Sequence, residues 1–178
     1  ITQNFAMLEN TNSATNVVAA LNTGQTAVNI TWNTPNGNYE LLYDDGIQES
    51  FVVWATANNL DAVKFNPVGY PCTVNGGKIN IGAQSNYPGG SNPLVQFEFS
   101  VWDATGPNGT PGAQIAGPFN FTPTTYGWNS FTFGTPVTIS SGAFYIVKKQ
   151  GGNYPNAAGV AIDTTTSQLR SYQKFQPS

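Results

Sequence analysis

The chain has no histidine, a single cysteine and very few charged side chains. Without histidine it lacks the commonest general base, the commonest transition-metal ligand and a member of most nucleophilic triads. Cys72 has no second cysteine to pair with, and its place in a strand-like run favours a buried, inert residue. These absences disfavour the familiar hydrolase mechanisms.

Charge is scarce as well. Only 8% of the 178 residues are charged, with six Lys plus Arg against nine Asp plus Glu and a net charge of -3. No basic cluster exceeds Lys148-Lys149, so the chain offers no electrostatic surface for a phosphate backbone and we predict no nucleic-acid partner. The solvent-facing surface must therefore consist mainly of Asn, Thr, Gln, Ser and Gly.

No long hydrophobic run is present. No stretch approaches the roughly 18 apolar residues that span a bilayer, and no charged segment followed by an apolar one opens the chain. We predict no membrane span. The first residue, Ile1, suggests a removed leader, and together with the composition it favours an extracellular or cell-surface location.

Helical periodicity is nearly absent, which predicts an all-β fold. Gly (19) and Pro (12) interrupt short apolar runs, and Val95 to Trp102 alternates apolar with polar residues as a half-buried strand does. About ten short strands between turns predict a two-sheet antiparallel β-sandwich of jelly-roll type. The predicted strands are 27–32, 39–43, 51–54, 62–65, 72–81, 95–102, 115–121, 128–137, 143–148, 159–162 and 170–175.

The predicted sandwich spans residues 37–178, and residues 1–36 form an N-terminal extended arm. Within the arm, Val28, Ile30 and Trp32 alternate as buried strand residues do. Ser13 to Leu21 is open to two interpretations, a short helix with Val17, Val18 and Leu21 on one side, or a strand or irregular segment.

Four segments carry a family resemblance: ELLYDDG at 40–46, AVKF with YPC at 62–72, FSVWD with GTPG at 99–112, and GAFYIV with GVAID at 142–163. In order and spacing, residues 39–175 resemble a jelly-roll-like β-sandwich module of exported bacterial and archaeal proteins, often found beside peptidases, hydrolases or sorting domains. The resemblance implies the same fold, export and a non-catalytic accessory role, and it implies no active site.

The segment AVNITWNTP at 27–35 looks like the second strand of a fibronectin type III domain. About 36 residues cannot build a seven-stranded sandwich, so this strand requires a sheet from elsewhere. It can join the edge of its own module, or it can complete the sheet of a neighbouring copy by strand addition.

Acidic residues in turns are candidates for a calcium site. Asp44, Asp45 and Glu49 surround a glycine, and carboxylate oxygens are the ligands that calcium selects. The alternative is a tight Asp-Gly turn between strands. Asp103 and Asp163 each end a strand and could approach one another across two loops; the alternative is that each caps its own turn.

Aromatic and asparagine residues suggest two further kinds of site. Large aromatics in strands favour the core, whereas the loop residues Tyr87, Tyr126 and Tyr154 are the best candidates for stacking on a glycan. Asn29, Asn108 and Asn120 fit the N-glycosylation acceptor pattern. No pair of carboxylates stands out as a glycosidase pair, and we predict that the protein is not an enzyme.

Two functions remain. One is a self-assembling subunit of an extracellular filament or surface layer, in which the arm donates its strand to the next copy. The other is a carbohydrate-binding or adhesive module that uses loop aromatics.

Overall fold

The computed structural model describes residues 2–3, 5–6, 15–24, 26–33, 39–165 and 168–176. Thirteen strands are found there, with two short 3-10 turns at Gln84–Asn86 and Pro107–Gly109. The strands are β1 (Thr2–Gln3), β2 (Phe5–Ala6), β3 (Thr15–Leu21), β4 (Val28–Asn33), β5 (Ser50–Val52), β6 (Leu60–Phe65), β7 (Cys72–Ile81), β8 (Phe97–Asp103), β9 (Gln114–Phe121), β10 (Gly127–Ile139), β11 (Phe144–Lys149), β12 (Val160–Asp163) and β13 (Ser171–Lys174).

Two antiparallel sheets form the sandwich. The first sheet has the order β1-β12-β7-β10, with β2 also on β7 and β5 on β12. The second has the order β13-β6-β11-β8-β9. From β6 onward the chain passes repeatedly from one sheet to the other, as it does in jelly rolls. The predicted all-β, two-sheet antiparallel sandwich is confirmed.

The core lies between the facing sheets and is rich in phenylalanine. Phe97, Phe99 and Val101 of β8 are buried, as the alternation of that segment predicts. The ring of Phe99 in the second sheet stacks on that of Phe131 in the first, with centroids 4.0 Å apart. This contact joins the two sheets directly.

Two local predictions are corrected. The helix considered over Ser13–Leu21 is wrong for the described part, because β-branched residues and pairing with β4 make Thr15–Leu21 a strand. The strand predicted over 39–43 is reduced to isolated bridge residues at Tyr39 and Leu42. No helix among the described residues is long and apolar enough to cross a membrane.

The stacked phenylalanine pair yields a stability prediction. Phe99→Ala removes a buried ring that both sheets pack against, so we expect a loss of roughly 3–5 kcal/mol in unfolding free energy. Chemical denaturation of the variant measures it. Ser130→Ala, beside Phe131 on the exposed face of β10, is the matched control and should change stability by less than about 0.5 kcal/mol. Equal losses in the two variants would contradict this view of the core.

Candidate functional site

The segment predicted as an orphan strand is half of a separate hairpin. β4 pairs antiparallel with β3, with Leu21 opposite Val28 and Ala19 opposite Ile30. At the turn, Asn22 Oδ1 accepts a hydrogen bond from the backbone N–H of Thr26 at 2.8 Å. Among the described strands, β3 and β4 pair only with each other and belong to neither sheet of the sandwich.

One face of this hairpin is apolar and open to solvent. Because side chains alternate along a strand, Ala19, Leu21, Val28 and Ile30 share a face. Leu21 is 60% exposed, Val28 57% and Ile30 58%. The side chain of Trp32 lies outside the described residues. A two-stranded hairpin on its own is only marginally stable in water, so this face requires a covering surface.

The start of the arm lies in the first sheet of the sandwich. β7 and β12 meet directly at one residue pair, Ile81 with Val160. Beyond that pair, β1 lies beside Ile162 of β12 and β2 lies beside Ile79 of β7. The N-terminal segment therefore pairs with both strands where they diverge.

An apolar groove runs along one side of the sandwich. It has a volume of about 500 Å³ and lies between edge strand β5 of the first sheet and edge strand β13 of the second. β5 pairs only with β12 among the described strands. The lining residues are Phe51, Val52, Val53, Trp54, Ala55, Tyr154 and Gln173.

Three of the predicted calcium ligands come together. Asp45, Glu49 and Asp163 each offer a carboxylate oxygen, and these atoms lie within 4.8 Å of one another. Asp45 and Glu49 are exposed and Asp163 is buried. The Thr165 hydroxyl lies within hydrogen-bond distance of both Asp45 Oδ2 (2.9 Å) and Asp163 Oδ1 (3.1 Å), and its single hydrogen can be donated to either. This group of oxygens could hold a hard cation.

Asp44 lies beside this group and also belongs to a turn. Its Oδ1 accepts the backbone N–H of Gly46, and Asp45 Oδ1 accepts that of Ile47, so the Asp-Gly turn is formed by hydrogen bonds. Burial raises the pKa of the Asp44 carboxyl, and the neighbouring Asp163, Asp45 and Glu49 raise it further. The turn and the acidic group thus coexist.

Asp103 is not brought into the acidic group. It ends β8 in the second sheet, where Oδ1 accepts hydrogen bonds from the Thr105 hydroxyl, Thr105 N–H and Ala113 N–H. The Thr105 hydroxyl is the main reason that the pKa of Asp103 is lowered, with the two backbone N–H groups adding to the effect. These hydrogen bonds form the capped turn that the sequence offers as the alternative to a metal site at Asp103.

The three loop tyrosines cluster in space. Tyr87 lies 6.3 Å from both Tyr126 and Tyr154, measured between ring centroids. The exposure expected for Tyr87 is not found: it is 9% exposed, and its hydroxyl accepts the backbone N–H of Gly159. Tyr126 packs against the core, whereas Tyr154 is 41% exposed and lines the apolar groove.

The sequence does not single out the groove or the partner of β4. The sequence predicts a strand over 51–54 that contains Phe51 and Trp54. Only the fold shows that these two residues line a groove at a sheet edge together with Tyr154. The apolar residues of β3 were a usable signal for a hairpin. Asn29, Asn108 and Asn120 are all exposed, and glycosylation at them stays a prediction.

Comparison with known proteins finds a partial match. The chain is 32% identical over 147 residues to Bacillopeptidase F of Bacillus subtilis (strain 168), covering 78% of this chain and 10% of that protein. The chain thus spans about a tenth of the length of this curated relative. No family model and no solved structure matches.

Calcium binding to the acidic group can be tested by thermal unfolding. Ca²⁺ bound only to the folded state would offset the repulsion between the carboxylates, so it should raise the Tm, by the equivalent of about 2.7 kcal/mol at a hundred times its Kd. Asp45→Asn and Glu49→Gln should abolish the shift. Glu98→Gln, which removes a carboxylate paired with Lys149 elsewhere, should retain it. A wild-type Tm that Ca²⁺ and EDTA leave unchanged would contradict the prediction.

Proposed function

We propose that the chain is a non-catalytic extracellular structural protein, a subunit that assembles with copies of itself into a filament or layer through its N-terminal arm. The observation that carries this proposal is the β3–β4 hairpin, whose apolar face is more than half exposed and pairs with no strand of the sandwich.

The acceptor on the next copy is the apolar groove between β5 and β13. It offers apolar and aromatic side chains for burial, at about 25 cal/mol per Å² of apolar area. It also lies along edge strand β5, to which an incoming strand can add by main-chain hydrogen bonds. Hairpin and groove are different surfaces, so the contact is head to tail and propagates unless a rotation closes it into a ring.

The scarcity of charge supports the same function. With only 8% charged residues, copies approach with little electrostatic repulsion and bury few charges. The first sheet offers a second route to assembly, because a neighbour's β1 and β2 could pair with β12 and β7 as the chain's own β1 and β2 do here. A bound calcium ion would reinforce the subunit at Asp163, beside β1.

Substitutions on the two faces of the hairpin test the assembly. The double variant Leu21→Asn/Ile30→Asn removes two side chains from the apolar face, each worth roughly 1.5–3 kcal/mol when buried, so we expect assembly to weaken more than tenfold per residue. Ala20→Asn places the same residue on the opposite face and should assemble like wild type. Analytical ultracentrifugation and electron microscopy measure particle size.

A mixing experiment tests the head-to-tail geometry. Ala55→Asp places a charge in the groove and leaves the hairpin intact, so neither this variant nor the hairpin double variant should assemble alone. Mixed together they retain one working hairpin and one working groove, and should form dimers that grow no further. A wild-type chain that stays monomeric at high concentration, or a mixture that forms no dimer, would contradict the proposal.

A second candidate, a carbohydrate-binding or adhesive module, is favoured by Tyr154 and Trp54 at the open groove. Under this function Tyr154→Ala should weaken binding at least tenfold in a glycan screen, because one stacking face is lost. Tyr70→Ala, which removes an exposed tyrosine outside the groove, is the control. The hairpin double variant should bind normally, which distinguishes the two functions. Absence of any glycan signal in the wild type would remove this candidate.

A further inference from the structure

One end of the sandwich interior contains a buried polar layer. In β6 and β11 the inward positions hold apolar residues such as Val63 and Ile146, yet the same rows continue into Asp61 and Lys148, which stand directly opposite one another. Asp61 and Lys148 are both 0% exposed. Asn59, which directly precedes β6, and Gln150, which directly follows β11, are also buried.

The surroundings of Lys148 do little to stabilise a charged ammonium group. Its Nζ lies 3.6 Å from Asp61 Oδ2, against about 2.7–2.9 Å for a charge-assisted hydrogen bond, and makes no hydrogen bond of good geometry. The ring of Phe97 faces it at 5.3 Å. Burial lowers the pKa of the Lys148 ammonium, and the Asp61 carboxylate opposes that shift. At this distance the desolvation penalty of burying two full charges exceeds the attraction between them.

The Asp61 carboxyl is held in a fixed orientation. Its Oδ1 accepts a hydrogen bond from the indole Nε1–H of Trp54 at 3.0 Å. The backbone of Trp54 is in turn fixed by the side chain of Gln150, which accepts the Trp54 N–H and donates to its carbonyl. The indole N–H is therefore aimed at the oxygen on which negative charge would develop if a nucleophile added to Asp61 Cγ.

We propose that Lys148 and Asp61 join in an intramolecular amide bond between the side chains of β6 and β11. A proton passes from the ammonium to the carboxylate, which leaves a neutral amine and a neutral acid. The amine lone pair adds to Cγ while the Trp54 N–H stabilises the oxygen that it bonds. The Cγ–Oδ2 bond then breaks, and its hydroxyl leaves with a proton from the nitrogen as one water molecule. No oxidant or co-reactant is required.

The geometry favours this step in three ways. Lys148 Nζ lies 3.6 Å from Asp61 Oδ2, which places it beside the Cγ bonded to that oxygen, as a near-attack arrangement requires. Adjacent paired strands hold the two groups together at no further entropic cost. The apolar interior favours the neutral reactants over the ion pair. The bond would close a loop containing β7, β8, β9 and β10 and stabilise the fold as a disulfide does, in a chain with only one cysteine.

The mass of the wild-type protein tests this bond without any variant. We expect the intact mass of the full chain to fall below the sequence mass by one water molecule. After proteolysis, tandem mass spectrometry should find a branched peptide that joins the segments carrying Asp61 and Lys148. A succinimide at Asp45-Gly46 loses the same water, so a loss located there would overturn the proposal. So would an unchanged mass.

Variants identify the reacting groups. Asp61→Asn should lose ammonia in place of water, because the leaving group is then an amide nitrogen. The double variant Asp61→Leu/Lys148→Met leaves no buried charge and should keep the full sequence mass. Trp54→Phe removes the N–H donor and should lower the cross-linked fraction of freshly folded protein. A branched peptide that persists in the double variant would contradict the assignment.

Discussion

The whole molecule depends on two sheets that must bury one face each against the other. Phenylalanine rings are prominent in that contact, and the Phe99–Phe131 stack crosses directly from one sheet to the other. With few charges and no disulfide, the chain has little else to stabilise the pairing of its sheets. The stability of the fold therefore depends on how completely its apolar surfaces are covered. The same limit applies to the β3–β4 hairpin, which no sheet covers in the part of the chain that the structure describes.

The sequence is informative wherever one residue type dictates one face. The alternation of Val95 to Trp102 predicts the buried row of β8, and the absence of helical periodicity predicts the class. It fails where the outcome depends on what lies opposite. The run from Thr15 to Leu21 becomes a strand because β4 pairs with it, and no local pattern of a short β-branched run decides between the two alternatives.

The candidate sites follow the same rule. Asp45 and Glu49 are close in sequence and can be nominated together, but Asp163 joins them only because β5 and β12 are paired. The loop tyrosines do converge, yet Tyr87 is buried, and its hydroxyl accepts a hydrogen bond from the backbone N–H of Gly159, the residue before β12. A single charged residue in a strand-like segment does not predict a site. The pairing of Asp61 with Lys148 can therefore be recognised only once the register of β6 and β11 is known.

The proposed assembly and the proposed cross-link are related through mechanical load on the subunit. In the proposed assembly, a subunit that joined its neighbours through the hairpin would gain free energy from the contact and would transmit any pull on the arm into its own sheets. β6 and β11 are interior strands of the second sheet, and each supports two neighbours. Hydrogen bonds between them can open one by one under load, whereas a covalent bond at Asp61 and Lys148 cannot. The proposed link would therefore hold the second sheet together between two of its interior strands.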